Sequence, residues 1–261
     1  MSIVNGPVSS NPVIVVVPAS FSPPSLYTGL VEALGRHGYE TIVIDLPSVG
    51  NRRRFSAATM AEDADHIKSL TSKLADEDKE IILVMHSYGG ICGTESSKGV
   101  TKAERVLSQA KGGIIRLFYI SSPVPGVGGS IATQMGENMP EFIKIDGDYM
   151  VPEPDGCAQT NFSDLRPEEG VEFARMMLPH SRISFTGTLS HSGYHNVPVS
   201  YLVCKEDLAV PPQVQEAVIR QIEAESGRKV DVHTCQAGHF PTISRVEEVS
   251  RAIRRAIGEV L

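Results

Sequence analysis

The run Ile81-Ile82-Leu83-Val84-Met85-His86-Ser87-Tyr88-Gly89-Gly90 decides how this chain folds. Ile81 to Met85 is a short, unbroken apolar run, which suits a strand buried on both faces of a parallel sheet. The glycines that follow let a helix start close against that strand. A serine at such a turn has its Oγ pushed out at the carboxyl edge of the sheet, where a nucleophile needs it. The usual pattern is Gly-x-Ser-x-Gly, and here Met85 stands in place of the first glycine.

Working outward, Val13 to Val17, Thr41 to Asp45, Ile114 to Ile120, Tyr201 to Cys204 and Val230 to Thr234 read as five further strands. Helical spacing separates most of them. Leu26, Leu30, Val31 and Leu34 recur on one helix face, with Gly38 beyond its end. Thr59 and Glu62 form a capping-box pattern for a helix to about Ala75. Pro212 with Gln213 to Glu225 reads as a late helix, and Ser244 with Glu247 as the cap of a last one. Strands alternating with helices predict an α/β fold with a doubly wound, mostly parallel sheet. Between Pro123 and about Pro198 the alternation fails, leaving one helix from Pro167 to Leu178 and no strand. That stretch reads as an inserted cap, which divides the chain into residues 1–122 and 199–261 as core and 123–198 as lid.

Composition sets the outer limits. With 41% hydrophobic and 21% charged residues in 261, the chain has the balance of a globular protein with a large core. A net charge of −7, with Arg52-Arg53-Arg54 as the only basic cluster and read as a solvated loop, speaks against nucleic acid as a partner. The start of the chain has no signal-peptide pattern, and no run reaches the ~20 apolar residues of a membrane span. The four cysteines, Cys92, Cys157, Cys204 and Cys235, lack metal spacing and read as reduced thiols. A cytoplasmic protein is expected, with a small-molecule substrate, no metal or organic cofactor and no membrane partner. A homodimer is left open.

A serine hydroxyl needs a base, and His239 in Ala237-Gly238-His239-Phe240-Pro241 is the best placed of eight histidines. It follows the last strand, as the order serine, acid, histidine requires. Asp207, after Tyr201 to Cys204, is the candidate acid; spacing alone leaves the adjacent Glu206 open. The loop Ser121-Ser122-Pro123 has no carboxylate and offers no other position for it. Charge on a carbonyl oxygen calls for backbone donors: the N–H of Tyr88 at the helix start, and that of Ser20, with Phe21 in reserve, after the first strand. Phe21, His86 and Phe240 are taken as substrate-binding candidates, although His86 also suits packing behind the serine. His191 and His195, in the inserted stretch, read as surface residues with a second reading at the substrate. Met135, Met139, Phe142, Met150, Phe162, Phe173, Met176 and Met177 suggest an apolar wall from the inserted stretch, or the packing of its helix.

These pieces, with Asp45-Leu46-Pro47-Ser48-Val49-Gly50 and Leu202-Val203-Cys204-Lys205-Glu206-Asp207, resemble the α/β-hydrolase superfamily over nearly the whole chain. The likeness is to its small esterase, methylesterase and hydroxynitrile-lyase group. The resemblance implies Ser87 as nucleophile, Asp207 rather than Glu206 as acid, and His239 as base. Relatives commonly carry His-Gly or Pro-Gly where this chain has Pro18-Ala19. The lyases of the group keep a lysine beside the histidine, and here Phe240 occupies that place. The expectation is therefore an esterase or lactonase acting on a small, largely apolar molecule. The alternatives are a lyase or cyclase on the same three residues, and a binder without activity.

Overall fold

A computed structural model describes residues 11–50, 56–136 and 139–261. The Arg52-Arg53-Arg54 cluster and the first ten residues lie outside the described residues. The chain begins with β1 (Val13–Val17), α1 (Thr28–Gly35), β2 (Thr41–Val43), α2 (Met60–Asp76), β3 (Glu80–His86), α3 (Gly89–Ser96), α4 (Lys102–Val106) and β4 (Gly113–Ile120). After a long crossover come β8 (Val199–Cys204), α8 (Pro212–Ser226), β9 (Asp231–Cys235), α9 (Pro241–Ser244) and α10 (Val246–Ala256), the crossover itself supplying the elements numbered between.

The six core strands pair in the order β2-β1-β3-β4-β8-β9, every pair parallel. β1 is buried along all five residues, and its side chains alternate between two apolar layers. Val13, Val15 and Val17 pack with Ile67 and Leu74 of α2, Ile91 of α3 and Val218 of α8. Ile14 and Val16 pack with Leu30 of α1 and Val249 and Ile253 of α10. Two covered faces explain the unbroken β-branched runs, since each buried Val or Ile contributes about 1.5–3 kcal/mol. From β1 the chain steps outward to β2 and then returns past β1 to β3. The loops after β1 and β3 therefore part at one switch point on the carboxyl edge, the usual place for a ligand in an open α/β sheet.

The crossover of residues 123–198 departs from expectation. It contains α5 (Ile131–Met135), β5 (Ile143–Asp146), β6 (Tyr149–Pro152), α6 (Pro154–Asn161), α7 (Pro167–Ala174) and β7 (His180–Ser181). The three strands make a small antiparallel sheet in the order β5-β6-β7, where no strand was predicted. Its hairpin turns at Gly147-Asp148, with Gly147 at φ 58, and the Asp146-Gly147 pair is the local turn signal for it. The segment also buries Leu189, Tyr194 and Val197 in one apolar layer and Met150, Phe162 and Ala174 in the other. The capping role expected of Ser244 is likewise corrected. Arg245 is the N-cap of α10 without a side-chain bond, and Ser244 Oγ instead donates to Asp164 Oδ2 at 2.5 Å.

Candidate active site

Ser87 follows β3 with φ 51, a left-handed conformation that a residue with a Cβ adopts at a cost. Several contacts hold it there. Ser87 N–H donates to Ile120 C=O at 3.0 Å, and its own C=O accepts from Gly90 N–H at 2.8 Å and from Ser122 Oγ at 2.6 Å. The glycines are required by the closeness of α3. A Cβ on Gly89 would lie 2.5 Å from the Val17 carbonyl oxygen, and one on Gly90 1.9 Å from Ser122 Oγ. Met85 is tolerated where a glycine is usual because the small residue has moved to the helix. A Cβ on Gly93 would meet Met85 Cγ and Sδ at 2.6 Å, so Met85 fills the space above Gly93.

The structure brings Ser87, His239 and Asp207 together from three loops. His239 Nε2 is 2.9 Å from Ser87 Oγ, and His239 Nδ1 is 2.8 Å from Asp207 Oδ2. The carboxylate accepts the Nδ1 proton, which leaves the Nε2 lone pair for the serine hydroxyl. Asp207 Oδ1 accepts the N–H groups of Ala209 and Val210, each at 2.8 Å, and Ser121 Oγ donates to Oδ2. Burial would raise the Asp207 pKa. The charge of His239 and the hydrogen bonds from His239, Ser121 and Val210 outweigh it and hold the group below its ordinary value. The Ser121 loop, which lacks a carboxylate, thus donates a hydrogen bond to the candidate acid. The adjacent Glu206 is exposed, and its N–H donates to Ala237 C=O at 3.0 Å.

His86 is placed differently from the substrate-binding role given to it. It is buried and does not line the cavity above Ser87, and its ring packs edge-on against Phe240 at 4.8 Å. Its Nε2–H donates to the His239 carbonyl at 2.7 Å, so its Nδ1 accepts from Tyr27 Oη at 2.8 Å. Tyr27 Oη in turn accepts the Ala19 N–H at 2.8 Å. Burial, followed by the charge of His239, pushes His86 down to about 3, so it stays neutral as this network requires.

The loop after β1 is tied on both sides. Besides Ala19, Phe21 N–H donates to His180 Nδ1 at 3.0 Å, and Phe21 C=O accepts from Leu178 N–H at 2.8 Å. Phe21 N–H, the reserve oxyanion donor, is thereby engaged elsewhere. Ser20 and Tyr88 both line the cavity, and among the described residues neither backbone N–H has a protein acceptor. The Tyr88 side chain runs away from the site, with Oη donating to Asp63 Oδ2 at 2.7 Å and the ring stacked on Phe185. Sequence reasoning did not single out His180, Ser121 or Asp63; each matters through contacts distant in sequence.

The cavity above Ser87 measures about 320 Å³. Phe21, Phe240, Met135, Met139, Phe142 and Met150 line it, while Phe162, Phe173, Met176 and Met177 do not. Three of them pack elsewhere, Phe162 stacking on Phe173 and leaning on Phe240 and Met177 buried in the layer under α1 and α10, while Met176 is exposed. Neither His191 nor His195 reaches the cavity. No Lys, Arg, Asp or Glu lies among the described lining residues.

The chain is similar to known proteins along nearly its whole length. The chain is 32% identical over 250 residues to a probable hydrolase, R7, from Phoma sp. (strain ATCC 20986 / MF5453), covering 95% of this chain and 99% of the relative. It is 28% identical over 254 residues to the alpha/beta hydrolase nvfD of Aspergillus novofumigatus (strain IBT 16806), covering 96% and 98%. The crystal structure of polyneuridine aldehyde esterase superposes with a TM-score of 0.72 at 18% identity, over 94% of this chain and 99% of that one. Since the family model described as "Alpha/beta hydrolase family" matches residues 14–252, the chain belongs to the alpha/beta hydrolase family and is a hydrolase.

Proposed function

We propose that this hydrolase is a serine esterase or lactonase that works through an acyl-enzyme. The observation that carries the reading is the chain of contacts from Ser87 Oγ through His239 to Asp207, at 2.9 and 2.8 Å, opening on an apolar cavity. Ser87 Oγ adds to the substrate carbonyl while His239 Nε2 takes its proton. Asp207 keeps the ring in the tautomer that can do so and stabilises the imidazolium that forms. The oxyanion is met by the N–H groups of Tyr88 and Ser20. Collapse of the tetrahedral intermediate breaks the bond to the alcohol oxygen, which receives the proton from His239. Water then attacks the acyl group on Ser87 with His239 again as base, and the acid leaves.

The lining favours an uncharged substrate. Burying an ionised group there would leave it without a counter-charge, a large penalty in an apolar site. Gln134, Thr160 and Asn161, all from the crossover, give the wall a few polar contacts. Residues 123–198 act in this reading as the lid that supplies the far wall. Phe240 is buried against His86 and Phe162 where a lyase would need a cation beside the histidine.

Rapid mixing with an excess of an activated ester tests the reading. A burst of alcohol stoichiometric with enzyme, and one labelled oxygen in the product acid when the reaction runs in ¹⁸O water, are expected. Turnover of a substrate with neither burst nor label would favour lyase or cyclase chemistry.

A further inference from the structure

Phe21 has φ 64, a left-handed backbone on a bulky side chain, and both of its backbone polar groups are held by the crossover. Leu178 N–H binds its carbonyl at 2.8 Å, and His180 Nδ1 accepts its N–H at 3.0 Å. His180 is itself fixed on every side. Its Nε2 lies 3.0 Å from both Ser48 Oγ and Ser184 Oγ, and its ring meets Tyr88 and Phe185 edge-on. Ser184 Oγ spends its proton on Ser181 C=O at 2.8 Å, so it accepts from Nε2–H. Nδ1 therefore carries the lone pair, as the Phe21 contact demands. Burial pushes the ring down to about 3, so the acceptor persists at neutral pH.

Resting on the serine-esterase reading, we propose that His180 is a positioning residue for the oxyanion hole. By accepting the Phe21 N–H it holds the strained turn that leaves Ser20 N–H as the loop's unengaged donor beside Tyr88. Ala19 N–H is consumed by Tyr27 Oη and Phe21 N–H by His180, so Ser20 is left between two engaged neighbours. Because His180 and Leu178 belong to the crossover, the same segment that walls the cavity also arms the donor loop. Without the His180 acceptor, Phe21 N–H has no partner in a buried site and the turn relaxes towards an ordinary backbone conformation. The Ser20 donor then moves away from the oxyanion.

The test compares His180→Leu, which removes the acceptor, with His180→Asn, whose amide oxygen falls near Nδ1. Steady-state kinetics on a p-nitrophenyl ester are read beside the inhibition constant of a trifluoromethyl ketone that adds to Ser87. For His180→Leu, kcat and ketone affinity should fall together by about 10²-fold, as for loss of one oxyanion donor, with KM changed by less than about threefold. His180→Asn should recover about tenfold or more of both. Equal losses in the two variants, or a loss carried by KM with ketone affinity intact, would overturn the proposal. Should the leucine variant fail to fold, nitrogen-15 spectra of the wild type still decide. The expected His180 signature is a protonated Nε2 with an unprotonated Nδ1, and the opposite tautomer would overturn the assignment. A wild type that neither turns over the ester nor takes the ketone on Ser87 overturns the esterase reading and this proposal with it. An active wild type with an unaffected leucine variant overturns this proposal alone.

Discussion

Ser87 and Ser48 stand beside buried histidines at nearly the same distance. Ser87 Oγ is 2.9 Å from His239 Nε2, and Ser48 Oγ is 3.0 Å from His180 Nε2. Each pair also has a buried aspartate close by, Asp207 in one case and Asp63 in the other. The difference lies in the second ring nitrogen. His239 Nδ1 meets a carboxylate, so the proton sits there and Nε2 is free to act as a base. His180 Nδ1 meets a backbone N–H, so the proton sits on Nε2 and points at the serines. Asp63 Oδ1 binds the N–H of Ser48 at 2.8 Å and not the histidine ring. Only Ser87 lines the cavity. A serine near a histidine is thus no sign of a nucleophile; the partner of the far nitrogen decides the direction of the proton.

The sharpest way to break this comparison is to remove each hydroxyl. Ser87→Ala should abolish ester turnover, by analogy with triad proteases on the order of 10⁶-fold in kcat, with the fold intact by circular dichroism. Ser48→Ala should stay within about tenfold of wild type, because Ser184 also accepts from His180. Comparable losses in the two variants would erase the distinction.

The aspartates come next. Asp207→Asn should lower kcat by roughly 10⁴-fold, since an amide cannot hold the imidazole in its working tautomer, while Glu206→Gln changes little. Asp63→Asn should instead appear in stability, at about 1–3 kcal/mol in urea unfolding, because Asp63 anchors the Tyr88 hydroxyl and the Ser48 N–H. A larger kcat loss for Asp63→Asn than for Asp207→Asn would reverse the assignment of the acid.

A smaller effect separates the histidines by pH. His86 and His180 are both lowered from 6.5 to about 3, so the unfolded chain takes up their protons first. Stability from their neutral burial is complete above about pH 6.5. It falls as pH drops towards 3, by about 1.4 kcal/mol per pH unit for each ring. The depressed Asp207 works in the same direction further down, as pH falls below its ordinary value. Urea unfolding of the His180→Asn variant between pH 6.5 and 4 should therefore lose one ring's share of the slope. An unchanged slope would mean that His180 is not held neutral by burial.

What the residues made legible, and what they did not, follows from the range of the contacts involved. β1 and the Ile81–Met85 part of β3 are unbroken apolar runs because both faces are covered, β4 and β8 are mostly apolar around Arg116 and Ser200, and Ser87, Asp207 and His239 follow β3, β8 and β9 in that order. The β5–β6 hairpin could have been read from Asp146-Gly147, since a turn signal is local. His180 could not, because its meaning lies in an N–H 159 positions earlier in the chain. His86 read two ways for a similar reason: adjacency to Ser87 says nothing about which side of the turn its ring takes.

The central claim is that Ser87 carries the acyl group, and covalent labelling tests it most directly. After rapid quench of a slowly deacylated ester, intact-protein mass spectrometry should show one added acyl mass, and peptide mapping should place it on Ser87. Label on Ser48, or efficient turnover with no adduct on any serine, would contradict the account.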